Sequence, residues 1–132
     1  YAMGNKRLIQ AMTDVKESIN SYTMTRESIV LGAASLADEE YFQEKKQMVV
    51  ATRERTKEEL RRRGFEVLDS SANFLFAKPN SVDAGWLFEE LKKEKIFVRH
   101  FNGERIKDYL RISIGTDQQM DCLLQAIDRI MA

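Results

Sequence analysis

Two arginines are the residues of this sequence whose type and position point most directly to chemistry. Arg111 lies in the middle of a regularly alternating segment, and Arg99 lies at the centre of an earlier apolar one. A guanidinium in mid-strand either faces solvent or is held for a planar anion, which it binds through two parallel hydrogen bonds. If the two strands are neighbours and antiparallel, both cations reach one region. The pattern leaves two interpretations open, a shared anion site or two separate surface arginines that pair with acids.

The other reactive side chains predict less. His100 and Cys122 are the only imidazole and the only thiol, which predicts no zinc site, no disulfide within the chain and a structural role for His100. Ser113 allows a nominal Ser/His pair, but no nucleophile-elbow sequence surrounds it. The glycines are scattered singly and make no phosphate-binding loop. The basic run at residues 61–63 falls at the predicted end of a helix, where cations are favoured, and is interpreted as a solvated face.

Composition limits the classes of function. The chain has 132 residues, 43% of them hydrophobic, with 21 Lys+Arg against 21 Asp+Glu. This length buries enough surface for one real core, and a net charge of zero gives no general attraction to nucleic acids or anionic membranes. No run approaches the ~20 apolar residues of a membrane span, and the first residues lack the apolar region of a signal peptide. We therefore expect a cytoplasmic protein with neither a nucleic acid nor a membrane as partner.

The first half of the chain has the periodicity of helices. Asn5 is a suitable cap for a short helix that ends near Ser18, and residues 26–36 form a second helix with a stripe of small apolar residues. Asp38 caps a third helix of about 25 residues, which ends at the arginines before Gly64. This third helix has a thin apolar stripe, so one of its sides is expected to face solvent.

The second half mixes strands with helices. Residues 65–68 and 73–77 predict a hairpin, Ser81 is a suitable cap for a helix through Lys93, and residues 96–101 and 109–114 predict two more strands. Thr116 and Gln119 form the sequence signature of a capping box at the start of the last helix. This order predicts an α+β fold, a small antiparallel sheet of about four strands covered by helices.

Several of these segments together resemble a known family. The segments YLRISIGT at 109–116, IFVR at 96–99 and SANFLF at 71–76 are similar to the C-terminal portion of histidinol-phosphate aminotransferases, which are fold-type-I pyridoxal-phosphate enzymes. The resemblance implies that residues 38–132 are the C-terminal small domain of that fold and that residues 1–37 are large-domain and interdomain helices. It also implies that Arg111 binds the α-carboxylate of the substrate and that Arg99 helps to bind the phosphate end.

The resemblance also implies what this sequence lacks. The cofactor lysine of the family lies shortly before an Arg-x-Gly-Tyr turn, and this sequence begins YAMG, at the equivalent of that tyrosine. We therefore expect a fragment that has no catalytic residue and no metal, that is inactive alone and that binds no cofactor. The parent enzyme would use pyridoxal 5'-phosphate and act on a small-molecule amino-acid phosphate, with transfer between histidinol phosphate and 2-oxoglutarate in histidine biosynthesis.

Three alternatives stay open at this point. Residues 20–25 read NSYTMT where many relatives have a sequence closer to Asn-Pro-Tyr-Asn, which leaves room for an aromatic aminotransferase or an amino-acid-phosphate decarboxylase. From a different class of protein, a free-standing α+β module could use Arg99 and Arg111 to sense an anion or to bind a partner. We also expect a homo-oligomer, because apolar positions such as Ile29, Val30 and Leu36 would be bared in the isolated chain.

Overall fold

A computed structural model describes residues 3–19, 22 and 24–132 of the chain. The chain divides into two compact units, Tyr1–Phe42 and Gln43–Ala132. The interpretation of the opening YAMG depends in part on residues 1 and 2, and the departure at 20–25 includes residues 20, 21 and 23. These five residues lie outside the described ones.

Three helices make up the first half, as the periodicity predicts. They are α1 (Lys6–Ile19), α2 (Arg26–Ala37) and α3 (Glu39–Arg62). The predicted caps are present at two of them: Asn5 Oδ1 accepts from the Arg7 backbone N–H at 2.9 Å, and Asp38 Oδ1 accepts from that of Tyr41 at 3.2 Å. Thr25 caps α2 in the same way. These side chains satisfy N–H groups that have no partner within their helix.

The sheet belongs to the second unit. Its elements are β1 (Phe65–Val67), β2 (Phe74–Pro79), α4 (Ala84–Lys93), β3 (Arg99–His100), β4 (Leu110–Ser113) and α5 (Asp117–Met131). The strand order is β1-β2-β4-β3, and every neighbouring pair is antiparallel. The expected α+β fold with a four-stranded antiparallel sheet is confirmed. The predicted capping box at Thr116 and Gln119 is present as well.

One face of the sheet carries the core. Successive side chains of a strand point to opposite faces, so the alternating strands separate an apolar set from a mixed one. The apolar set packs with buried residues of the helices; the main members are Leu60, Phe65, Val67, Leu75, Ala77, Leu87, Leu91, Leu110, Ile112, Leu123, Leu124 and Ile127. The buried face of α3 is Thr52, Thr56 and Leu60, whereas the apolar Phe42 and Met48 of the same helix are exposed. The opposite face of the sheet carries the two arginines.

Two boundaries differ most from the predictions. Strand β3 contains only Arg99 and His100 instead of residues 96–101. Lys95 adopts a left-handed φ of 63° after α4, and the Ile96 N–H donates to the Leu91 carbonyl at 2.9 Å. The chain is thus still completing the end of α4 where a strand was expected. The cap of α4 is Asp83 and not Ser81, because the Asp83 carboxylate accepts from the Trp86 N–H at 2.8 Å.

Candidate functional site

The sheet register brings the two predicted site residues together. Arg99 of β3 is the direct partner of Arg111 of β4. Residues directly opposite in an antiparallel pair project to the same face with Cβ atoms about 4.5–5.5 Å apart. The strands are neighbours and antiparallel, so the backbone brings both cations to one region, as expected for that arrangement.

The pair is also without counter-charge. Within residues 3–19, 22 and 24–132, neither Arg99 nor Arg111 forms an ion pair or a hydrogen bond through its side chain. Like charges directly opposite one another are destabilising in a sheet. Two unpaired guanidinium groups on one face create a local positive potential in a chain whose net charge is zero, and an anion with two or more oxygens would relieve the repulsion.

The guanidinium of Arg111 is held between two aromatic rings. Its Cζ lies 5.3 Å from the ring centroid of Phe74 and 5.7 Å from that of Phe101. Arg111 Nε is buried and has no hydrogen-bond partner among the described residues. The donors left to a ligand are therefore those of the two Nη groups. Arg99 is exposed and forms the outer edge of the site.

A hydrogen bond lies on the same face of the sheet, on the side away from Arg99. The Tyr109 hydroxyl donates to Glu66 Oε1 at 2.9 Å and so links the residue before β4 to the edge strand β1. This hydrogen bond is the main cause that raises the pKa of Tyr109 above its ordinary value. The ring of Phe76 lies between them, 6.3 Å from that of Tyr109. Glu66 is thereby engaged by a neutral donor at the far edge of the sheet from Arg99.

A partly buried arginine fixes the turn that leads into β2. Arg53 of α3 donates from Nη1 to the Ala72 carbonyl at 3.0 Å, and the Ser70 hydroxyl donates to the Phe74 carbonyl at 2.7 Å. The Ala72 N–H in turn donates to Ser70 Oγ at 3.1 Å. Buried side-chain hydrogen bonds to backbone carbonyls determine the path of a loop. The start of β2, and with it Phe74, is set by these contacts.

The remaining candidates keep structural contacts. Arg63 donates to both oxygens of Asp128 at 2.7 and 2.9 Å, and Arg61 and Arg62 pair with glutamates of their own helix, so the run at 61–63 is a solvated, paired face. His100 lies 2.6 Å through Nε2 from the Lys107 carbonyl, which fixes the connection between β3 and β4. Among the described residues, no group of three His, Cys, Asp or Glu side chains is arranged to hold a metal. No helix in that part of the chain is long and apolar enough to cross a membrane.

Two residues of the site were not predicted from the sequence. Phe74 and Phe101 were interpreted only as strand residues, yet they are the ones that contact the Arg111 guanidinium. A signal for Phe74 was present, because alternation in residues 73–77 puts Phe74 on the face opposite Leu75 and Ala77.

Comparison with known proteins assigns the chain to a family. The family model "Aminotransferase class I and II" matches residues 1–127. The chain belongs to that family. Its relatives include histidinol-phosphate aminotransferases from Clostridium acetobutylicum, 43% identical over the whole chain, and from Aromatoleum aromaticum, 45% identical over 99% of it. This aminotransferase chain spans 38% and 37% of the length of those two relatives.

Solved structures show the same relationship. The histidinol-phosphate aminotransferase from Sinorhizobium meliloti, in complex with pyridoxal-5'-phosphate, superposes with a TM-score of 0.73 at 25% identity, over 93% of this chain and 35% of that one. A decarboxylase from Sulfurospirillum multivorans superposes with a TM-score of 0.72 at 19% identity over 98% of this chain, which shows a shared fold alone.

The groups of this aminotransferase chain fit an anion better than the aldehyde of pyridoxal phosphate. A lysine that forms a Schiff base must lose its proton, which a nearby carboxylate opposes. The pKa of Lys57 is raised by hydrogen bonds to Glu54 and Asp69, so its amine is not suited to form a Schiff base. The two arginines on the open face of the sheet are suited to bind an anion.

Proposed function

We propose that this chain is the substrate-anion-binding part of a histidinol-phosphate aminotransferase, which exchanges an amino group between histidinol phosphate and 2-oxoglutarate. The observation that carries the proposal is the direct pairing of Arg99 with Arg111 on the open face of the sheet, where neither forms an ion pair with an acid of the described residues. The names of the relatives supply the substrate, and the arginine pair supplies a chemical reason for it.

The two substrates present different anions next to the reacting centre. 2-Oxoglutarate and L-glutamate carry a carboxylate on the carbon that exchanges the amino group. Histidinol phosphate has no carboxylate and carries a phosphate ester one methylene further away. A planar carboxylate matches one guanidinium, whereas a phosphate dianion offers three oxygens and can be shared by two. In this proposal Arg111 binds both anions, and Arg99 adds to the binding of the phosphate.

Pyridoxal phosphate, held by other parts of the enzyme, would supply the electron sink of the transamination. This chain's own contribution is to fix the distance and plane of the substrate, because an anion bound by two parallel hydrogen bonds has little freedom left. We further propose that residues 38–132 act as the small domain of the enzyme and residues 1–37 as helices of its large domain and interdomain region, and that the enzyme is a cytoplasmic homo-oligomer.

The proposal is tested by kcat/KM of the complete enzyme for each substrate separately, since each value reports one half-reaction of a ping-pong enzyme. Arg111→Ala should lower kcat/KM about 100-fold or more for both histidinol phosphate and L-glutamate, because truncating one partner of a desolvated charge pair costs about 2–5 kcal/mol. Arg99→Ala should lower it about tenfold or more for histidinol phosphate and less than about threefold for L-glutamate.

Arg105→Ala is the matched control, since Arg105 is an exposed arginine in the connection between β3 and β4. It should leave both values unchanged. Little change in Arg111→Ala would end the proposed role of this chain. Equal losses for both substrates in Arg99→Ala would remove the phosphate role and favour an aminotransferase with another substrate.

A further inference from the structure

The aromatic contacts of Arg111 come from both neighbouring strands. β4 lies between β2 and β3 in the sheet, Phe74 is on β2 and Phe101 directly follows β3. The two rings therefore approach the guanidinium from opposite sides of its own strand. Both distances, 5.3 and 5.7 Å, are within the ~6 Å at which a cation is attracted to the face of an aromatic ring.

This arrangement holds a cation without neutralising it. A carboxylate beside Arg111 would fix its position equally well but would compete with an incoming anion. A ring quadrupole attracts the guanidinium and leaves its full charge available. The contact also offsets the repulsion from Arg99, which faces Arg111 directly.

The burial of Nε determines which donors of the Arg111 guanidinium a ligand can use. Nε is shielded from solvent and unpartnered within the described chain, so the pair of donors that includes Nε is closed to a carboxylate. The open donors are on Nη1 and Nη2. A carboxylate that binds both lies in the guanidinium plane, at the end furthest from the strand.

We propose that Phe74 and Phe101 are positioning residues for substrate binding, which hold the Arg111 guanidinium from its two sides so that both Nη groups face the carboxylate of the amino-acid or oxo-acid substrate. This inference rests on the proposed function of Arg111. Neither ring belongs to the buried core cluster, so their contribution is to this contact more than to folding.

The test uses the complete enzyme with leucine and tyrosine at each position. Leucine keeps an apolar side chain but has no ring, and tyrosine keeps the ring face. Phe74→Leu and Phe101→Leu should each raise KM for L-glutamate about two- to fivefold, and the double variant about tenfold, with kcat changed less than KM. Phe74→Tyr and Phe101→Tyr should restore KM to within twofold of wild type.

Phe97→Leu is the matched control. Phe97 is 78% exposed and lies outside the strands of the sheet. It should leave KM within about twofold. Leucine variants that bind L-glutamate as wild type does, or an equal loss in Phe97→Leu, would overturn the inference.

A double-mutant cycle separates positioning from general structure. In an Arg111→Ala background, Phe101→Leu should cause no further rise in KM, because no guanidinium is left to hold. An undiminished effect there would show that the ring acts on folding or on substrate directly, and would contradict the inference. If Arg111→Ala itself has wild-type kinetics, the proposed function fails; if it is impaired while the leucine variants are normal, only the role of the rings fails. Should a leucine variant not fold, Phe→Met at the same position gives the same comparison.

Discussion

Arg99 and Arg111 face each other directly across strands β3 and β4, and neither has a charged partner in the described part of the chain. Several other arginines of the same unit, such as Arg55 and Arg63, are instead engaged by aspartates. A fold that retains two adjacent unneutralised cations forgoes some stability. An anion that enters from outside gives that arrangement a function.

The pair of Arg63 and Asp128 predicts how stability depends on acid. Hydrogen bonds from Arg63 lower the pKa of Asp128 below its ordinary value of 3.8. A lowered folded-state pKa gives stabilisation that is present above the ordinary value and is lost as pH falls through the folded one. Asp128→Asn should therefore lower the free energy of unfolding at pH 7 by about 0.5–1 kcal/mol, since the carboxylate is half exposed. The difference should vanish at pH values well below 3.8.

Urea unfolding of both proteins across pH 2–7 measures this difference. Glu89→Gln is the control, because Glu89 and Lys92 are both well exposed and lie 3.6 Å apart. A penalty for Asp128→Asn that stayed constant down to pH 2 would contradict the ionic origin of the contribution.

The hydrogen bond of the Tyr109 hydroxyl predicts a raised pKa that can be measured at alkaline pH. Its pKa is raised above 10.0, first by the hydrogen bond to Glu66 and then by desolvation. A raised folded-state pKa means that this contribution is present below pH 10 and is lost as pH rises through the folded pKa. Glu66→Gln should bring the pKa of Tyr109 down toward its ordinary value. Tyrosinate absorbance near 295 nm, with Tyr109→Phe subtracted, follows that group alone; an unchanged pKa in Glu66→Gln would refute the contact.

Truncation of a buried side chain of β2 should cause the largest loss of stability among these variants. Leu75 is fully buried and is the register partner of Ile112. Leu75→Ala should lower the free energy of unfolding by about 2–5 kcal/mol, because it removes buried surface and leaves a cavity. Phe97→Ala, at a side chain that is 78% exposed, should change it by less than about 0.5 kcal/mol. Equal losses in urea unfolding would contradict the burial of Leu75 in the core.

Helix α2 predicts that the isolated chain associates. Ile29, Val30 and Leu36 are all more than half exposed, and exposed apolar patches of this kind favour association. Sedimentation velocity of the 132-residue chain should show an average mass that rises with concentration, and Ile29→Glu with Leu36→Glu should reduce that rise. Ser35→Glu, an added charge at an exposed polar residue of the same helix, should not. A strictly monomeric profile at high concentration would count against the prediction.

The alternation of residues 109–114 predicted β4 from sequence alone. The capping box at Thr116 likewise set the start of α5, because both signals are local. Where the signal was ambiguous the prediction failed. Ile96, Phe97 and Val98 have strand composition, but the left-handed Lys95 and the bond back to Leu91 keep them outside the ladder. A choice between Ser81 and Asp83 as cap also needs the actual path of the backbone.

The contact between Arg111 and Phe101 could not be predicted in the same way. Phe74 and Phe101 are far apart in sequence and meet the guanidinium only because β4 lies between β2 and β3. Strand order is a long-range property that periodicity does not encode. The roles of Arg99 and Arg111 came from a family resemblance, and geometry adds a shared face and the absence of acid partners among the described residues.

The most direct test of a shared anion site is a double-mutant cycle between Arg99 and Arg111 in the complete enzyme, measured as kcat/KM for histidinol phosphate and for L-glutamate. If one phosphate is held by both side chains, the effects of Arg99→Ala and Arg111→Ala on histidinol phosphate should be non-additive by about threefold or more. With L-glutamate, Arg99→Ala should add nothing in either background. Strictly additive losses with the phosphorylated substrate, or the same loss from Arg99→Ala with both substrates, would contradict the account.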